Sequence, residues 1–252
     1  MCARTMIWNR SWHGHGAVRT EPCRKHVPIL IPVGPTSVRL DFIFDTVCPW
    51  CYVGKRRFQR ALAQRPGLRI DIRWRPFLLN PDIPPEGIDR NEYLDRKFGG
   101  AARVQRINAA VAAAGEAEGI LFNFDRISRA PNTTHSHRMI RFASASGLEA
   151  ETVEALYAAY FCEGIDIGAI DDLVGIGNRV GLSVEDLGRY LRSDADVSTI
   201  LNDNARAHRQ GVNGVPCLIL DGLYAVAGAQ EPDVLLRLID IVRETEAEAA
   251  LS

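Results

Sequence analysis

Apolar residues in this chain follow two spacings, and the switches between them mark out its elements. Residues 38–45 (Val-Arg-Leu-Asp-Phe-Ile-Phe-Asp) are rich in β-branched and aromatic side chains and end at Thr46-Val47, the pattern of a strand feeding a helix. The spacing then changes to three and four. Cys51, Gly54, Phe58, Ala61 and Leu62 form one stripe, expected against the core, and Lys55, Arg56, Arg57 and Arg60 form another face, expected in solvent. Residues 68–75 alternate strictly, which predicts a second strand with Leu68, Ile70, Ile72 and Trp74 on its covered face. Pro76, Pro81, Pro84 and Pro85 then interrupt the backbone, and a domain boundary is expected there.

From about residue 91 to 211 the pattern is helical, beginning at Tyr93, Leu94 and Phe98 and passing through an alanine-rich stretch at 109–117. Helices are predicted over 133–146, with Asn132 as cap and Gly147 as stop, and over 149–163, 169–180, 184–192 and 196–210. Ser183 and Asp186 have the spacing of a capping pair. Period two returns at Cys217-Leu218-Ile219-Leu220 and Tyr224-Ala225-Val226-Ala227. The intervening Asp221-Gly222-Leu223 predicts a tight antiparallel turn. Glu231-Pro232 opens a last helix carrying Leu235, Leu238, Ile239 and Val242. Residues 1–36 show neither period, are punctuated by prolines, and read as an irregular or disordered extension.

Charge narrows the choice of partners. Thirty basic and thirty-one acidic residues nearly cancel in 252, which gives no global argument for nucleic acid or an anionic membrane. No apolar run approaches the roughly 18 residues of a spanning helix, and the N-terminus lacks an export-type apolar segment, so a cytoplasmic protein is expected. Six cysteines at 2, 23, 48, 51, 162 and 217 do not form a dense disulfide framework. His13, His15, His26, Cys2 and Cys23 lack metal-ligand spacing, and no metal is expected.

The chemistry concentrates at Cys48-Pro49-Trp50-Cys51, where the first strand gives way to the first helix. Cysteines at i and i+3 on a first helical turn lie within the roughly 4.4–6.8 Å Cα separation of a disulfide. Pro49 suits the first helical position, which leaves Cys48 at the cap. A thiolate there accepts otherwise unpaired N–H groups and meets the positive end of the helix dipole, which makes Cys48 the expected nucleophile. Cys51, one turn further in, is the expected resolving thiol, which attacks the mixed disulfide and releases the partner. Two blander readings compete: half of a structural zinc site, for which no second close cysteine pair is present, and two unreactive core cysteines.

Several separated motifs together resemble the DsbA-like thioredoxin-fold oxidoreductases, in particular their FrnE-like branch. They are Asp45-Thr46-Val47-Cys48-Pro49-Trp50-Cys51-Tyr52-Val53-Gly54, Arg75-Pro76-Phe77-Leu78-Leu79-Asn80-Pro81, Phe122-Asn123-Phe124, Pro131-Asn132-Thr133, Gly214-Val215-Pro216 and Ala227-Gly228-Ala229-Gln230. The order of elements is compatible with this fold. The resemblance implies an α/β thioredoxin-like fold with a large all-helical insertion: a discontinuous thioredoxin-like domain of residues 37–88 and 211–246, and an insertion of 89–210. It also implies dithiol–disulfide exchange by Cys48 and Cys51 on a disulfide-containing protein or small molecule, with no bound cofactor and with glutathione as a conceivable co-substrate. Val215-Pro216 would be a cis peptide beside the thiols and would dock an extended substrate segment.

Cys217 follows that proline where relatives commonly carry Thr or an apolar residue. It is either an auxiliary resolving or regulatory thiol or, by preference, a small buried hydrophobe on a central strand. Cys162 is expected to be core filler. Asn132 and His135, with His137 and Arg138 beyond them, are further candidates for contact with a polar substrate. Two other functions compete. One is glutathione-dependent isomerisation or transfer, as in the 2-hydroxychromene-2-carboxylate isomerases and kappa-class transferases, whose usual single Ser at the position of Cys48 contrasts with the cysteine pair here. The other is non-enzymatic binding of protein partners. Composition sets no oligomeric state.

Overall fold

The β-branched and aromatic run predicted as the first strand forms the centre of the sheet. A computed structural model describes residues 38–249, with side chains to residue 245, so the expected N-terminal extension and its histidines and cysteines lie outside the described residues. Strands β1 (Val38–Phe44), β2 (Ile70–Pro76), β5 (Cys217–Leu220) and β6 (Tyr224–Ala227) make one sheet in the order β2-β1-β5-β6. β1 runs parallel to β2, and the β1–β5 and β5–β6 pairs are antiparallel. A parallel pair needs a crossover, which is supplied here by helix α1 (Pro49–Ala63). Three residues join β5 to β6; the first two, Asp221 and Gly222, take positive φ, and the Leu223 N–H donates to the Leu220 carbonyl at 3.0 Å to close the turn.

Between β2 and β5 the chain is helical apart from one two-residue ladder, β3 (Ile88–Asp89) with β4 (Arg129–Ala130). The helices there are α2 (Arg90–Phe98), α3 (Ala101–Glu116), α4 (Thr134–Ala143), α5 (Glu149–Ala158), α6 (Ile170–Arg179), α7 (Val184–Arg192) and α8 (Val197–Arg209). α5 continues as a π turn, Ala159–Glu163, closed by Gly164 at φ 77°. Asn132 is not the cap of α4, a place taken by Thr133; it lies one residue further out, where its Oδ1 accepts the Thr134 N–H at 3.0 Å. Ser183 caps α7 by accepting the Asp186 N–H. The last helix, α9 (Pro232–Ala249), packs on α1 and β1. No helix among the described residues is long and apolar enough to cross a membrane.

Because side chains alternate along a strand, β1 serves two cores. Leu40, Phe42 and Phe44 join Tyr52, Phe58, Met139, Leu156 and Ile239 in the main core. Burying each such side chain contributes about 1.5–3 kcal/mol. Ile43, on the other face, joins Phe77, Ala207, Val212 and Cys217 in a smaller core. Trp74 packs on Phe42 and Phe44 at 5.2 and 5.5 Å between ring centroids, and is only half-buried because β2 is an edge strand.

One expectation fails in part. The basic face of α1 is only partly solvated: Arg60 stays exposed, but other elements bring carboxylates to the face and cover Lys55 and most of Arg57. Lys55 is buried against Glu154 of α5 at 2.6 Å. Arg57 meets Glu118 at 3.2 Å and Glu231 at 2.7 Å. Periodicity cannot distinguish a charged face in water from one neutralised by a partner far away in sequence.

Candidate active site

Each part of the site is held by a local feature. β1 ends at Asp45, whose carbonyl accepts the Cys48 N–H at 3.1 Å and so closes the turn that delivers the motif. Cys48 is the residue before α1, in extended conformation, and Pro49 takes the first turn, where its missing N–H costs nothing. Cys51 falls one turn on and is wholly buried, while Cys48 is 5% and Trp50 38% exposed. Both cysteines are free thiols.

The opposing wall is the loop before β5. The Val215-Pro216 peptide is cis, as the resemblance implied. The Cys48 thiol points at the Val215 carbonyl oxygen, with Sγ at 3.6 Å. Gly54 permits this approach: a Cβ there would sit 3.0 Å from Pro216 Cγ and 3.5 Å from Ala229 Cα. A side chain at this position would push the helix and the loop apart.

Behind the thiols lies a buried polar group that joins four segments. Asp45 Oδ2 accepts the Leu79 N–H at 2.7 Å, and Asp45 Oδ1 lies 3.4 Å from His137 Nε2, with both side chains almost fully buried. Tyr157 donates its hydroxyl to the Asp45 carbonyl at 3.4 Å. Thr46 and Ser136 share a buried hydroxyl contact at 2.7 Å. The turn before Cys48 is thus tied to the loop after β2, to α4 and to α5. Beside it, Glu154 binds Lys55, Arg56 and the Tyr52 hydroxyl.

Environment sorts the ionisable groups. Burial pushes the Cys51 thiol well up, and the neighbouring Cys48 adds to this, so Cys51 holds its proton until its partner's chemistry changes. Burial also raises the Tyr157 hydroxyl well above the usual phenol range. Burial alone would raise Glu154, but Lys55, Tyr52 and Arg56 outweigh it and hold the carboxyl below the usual glutamate range. Burial lowers Lys55 against the pull of Glu154.

The structure places the remaining sequence candidates in different surroundings. Cys217 is buried on β5, opposite Ile43 in register and within the smaller core, and burial raises its thiol. Asn132 ties Ile83 to the start of α4 by donating Nδ2–H to the Ile83 carbonyl at 2.6 Å. His135 faces Arg138 at 2.8 Å and is lowered first by burial and then by that cation. Arg138 itself is wholly buried and spans to the carbonyls of Tyr190, Leu191, Ser193 and Ala195. His137, two residues beyond His135, is the one that reaches the motif. Cys162 is half-buried at the edge of the main core. Tyr157 and Glu154 escaped the sequence reading because helical spacing marks them only as members of α5. Among the described residues no cluster of three or more His, Cys, Asp or Glu is placed to hold a metal ion.

Comparison with known proteins agrees with this fold. The chain is 26% identical over 208 residues to the uncharacterized protein YwbO of Bacillus subtilis, covering 81% of this chain and 96% of that one. A probable DsbA oxidoreductase from Streptomyces coelicolor superposes with a TM-score of 0.73 at 29% identity, over 80% of this chain and 88% of that one. A 2-hydroxychromene-2-carboxylate isomerase shares the fold, with a TM-score of 0.60 at 20% identity over 85% and 99% of the two chains. The family model for the DSBA-like thioredoxin domain matches residues 39–240, nearly the whole described chain, and the protein belongs to that family.

Proposed function

We propose that the protein is a thiol–disulfide oxidoreductase or isomerase with Cys48 as nucleophile and Cys51 as resolving thiol. The observation that carries this reading is the placement of Cys48 at the cap of α1, facing the cis Val215-Pro216 wall at 3.6 Å, with Cys51 buried one turn behind. Cys48 thiolate attacks one sulfur of a substrate disulfide and expels the other as a thiolate. Cys51 then loses its proton and attacks the Cys48 sulfur, releasing the substrate's second thiolate and leaving a Cys48–Cys51 disulfide. The chain loses two electrons and the substrate gains them; run backwards, the same steps oxidise a dithiol. The exposed Trp50 and the Val215-Pro216 loop receive the substrate segment on either side of Cys48.

In this reading residues 37–88 and 211–246 form the redox domain, residues 89–210 are inserted over it, and the protein works in the cytoplasm as a FrnE-like enzyme. No bound cofactor is required, and glutathione serves as a co-substrate that exchanges with the Cys48–Cys51 disulfide. A redox titration with alkylation readout tests the reading, since about 30 mV corresponds to ~1.4 kcal/mol for a two-electron couple. A single reversible two-electron transition that is lost in Cys48→Ser is expected. A protein whose Cys48 and Cys51 never pair, or whose activity survives replacement of both by Ser, overturns it.

A further inference from the structure

A cleft of about 130 Å³ opens beside the motif, from Val47 and Pro49 out to α2 and α3. Its body is apolar, built by residues such as Leu79, Leu94, Val111, Phe124 and Phe161. Two cations stand in its lining, Arg90 and Lys97. Arg90 is half-buried, stacks over the Phe124 ring at 5.5 Å and donates to the Phe124 carbonyl at 3.4 Å. Burial lowers its guanidinium, against the pull of Tyr160 and Asp125. Lys97 donates to Asn80 Oδ1 at 2.7 Å and to the Tyr93 hydroxyl at 2.6 Å. Among the described residues neither cation forms an ion pair with a carboxylate. This contrasts with the cations of α1, where Lys55, Arg56, Arg57 and Arg60 all have carboxylate partners.

An apolar cavity with a few convergent polar groups is the usual form of a small-molecule site, and unpaired cations in its wall select for negative charge. We propose that this cleft binds an organic acid, a carboxylate on an aromatic or aliphatic body, and so makes acidic disulfides the preferred substrates of Cys48. The carboxylate pairs with Arg90 or Lys97 and the apolar body lies in the cleft toward Pro49, which brings a sulfur attached to that body to the cap of α1. The substrate preference rests on the redox reading above; the binding of the acid does not. In turnover, Cys48 and Cys51 become a disulfide and each molecule of acidic disulfide becomes two thiolate acids.

Two measurements on the full chain test this separately. The first compares reduction of dithiobis(nitrobenzoate), whose rings carry carboxylates, with reduction of uncharged dithiodipyridine, each rate divided by that of free glutathione with the same reagent. A preference for the acid is expected, and it falls about ten-fold in Arg90→Gln and in Lys97→Gln. An unchanged preference in both variants overturns the proposal. The second is calorimetric titration of the Cys48→Ser, Cys51→Ser double variant, which cannot turn over, with benzoate and with benzamide. Tighter binding of benzoate, abolished by Lys97→Gln, is expected, and equal binding of the two overturns the proposal. If the unaltered protein reduces neither disulfide, the redox reading fails and the titration alone decides the cleft. Lys97 is exposed on α2, which guards against the result being one of misfolding.

Discussion

The two walls that flank the Cys48 thiol are built on opposite plans. On the α5 side the wall is polar: Glu154 binds Lys55, Arg56 and Tyr52, and the buried Asp45 accepts the Leu79 amide with its second oxygen 3.4 Å from His137. On the β5 side the wall is apolar and small, with Pro216 against Gly54 and Cys217 packed among Ile43, Ala207 and Val212. A paired buried charge is directional, so the first wall determines where the turn before Cys48 lies. Close packing without directional bonds lets the second wall approach the helix at van der Waals distance. The contrast also separates two buried cysteines: Cys51 adjoins Cys48 and the polar wall, and Cys217 lies in the apolar one.

The largest effect expected from this contrast is chemical. Cys48→Ser abolishes exchange, Cys51→Ser leaves a mixed disulfide trapped on Cys48 that mass spectrometry detects, and Cys217→Ala turns over as the unaltered protein does. Loss of exchange in Cys217→Ala would move that residue into the mechanism and dissolve the distinction between the walls.

The next is energetic. Glu154→Gln leaves the buried Lys55 ammonium without its counter-charge and is expected to cost about 2–3 kcal/mol in denaturant unfolding, the figure for breaking a buried pair reduced because Glu154 is partly exposed. A pH dependence accompanies it. The folded carboxyl binds a proton less readily than the unfolded one, so its contribution is complete above the ordinary glutamate value of about 4.3 and is lost as pH falls through the lower folded value. The acid limb of a stability–pH curve should therefore flatten in Glu154→Gln, and an unaltered limb would show that the polar wall is not held by this pair.

Smaller effects belong to the apolar wall. Gly54→Ala gains about 1 kcal/mol of helix propensity and loses about 1–3 kcal/mol by crowding Pro216, so stability moves little while exchange slows several-fold as the loop is pushed from Cys48. A crystal structure of that variant with the helix and loop unmoved would remove Gly54 from the argument. The smallest is Cys217→Ala, with a loss of about 1 kcal/mol for the missing sulfur in a packed core.

Much of this was legible in the residues alone. The β-branched run of β1, the alternation of β2 and the Asp221-Gly222 turn determine strands because local sterics act within a few residues. The i, i+3 cysteines with Pro49 between them determine a thiol at a helix start, and the capping pair at Ser183 and Asp186 works as spaced. The separated motifs carried the family and, through it, the cis proline. Tertiary structure alone decided which charges meet. Nothing in the periodicity of α1 says that Lys55 is buried, because its partner Glu154 is 99 residues away in the chain. In the same way, His137 rather than His135 reaches Asp45, and Arg90 and Lys97 line a cleft without carboxylate partners among the described residues. A local pattern records which face of a helix a side chain occupies. Whether that face meets water, a counter-charge or an open cleft depends on elements the pattern does not contain, and only the folded chain brings those elements together.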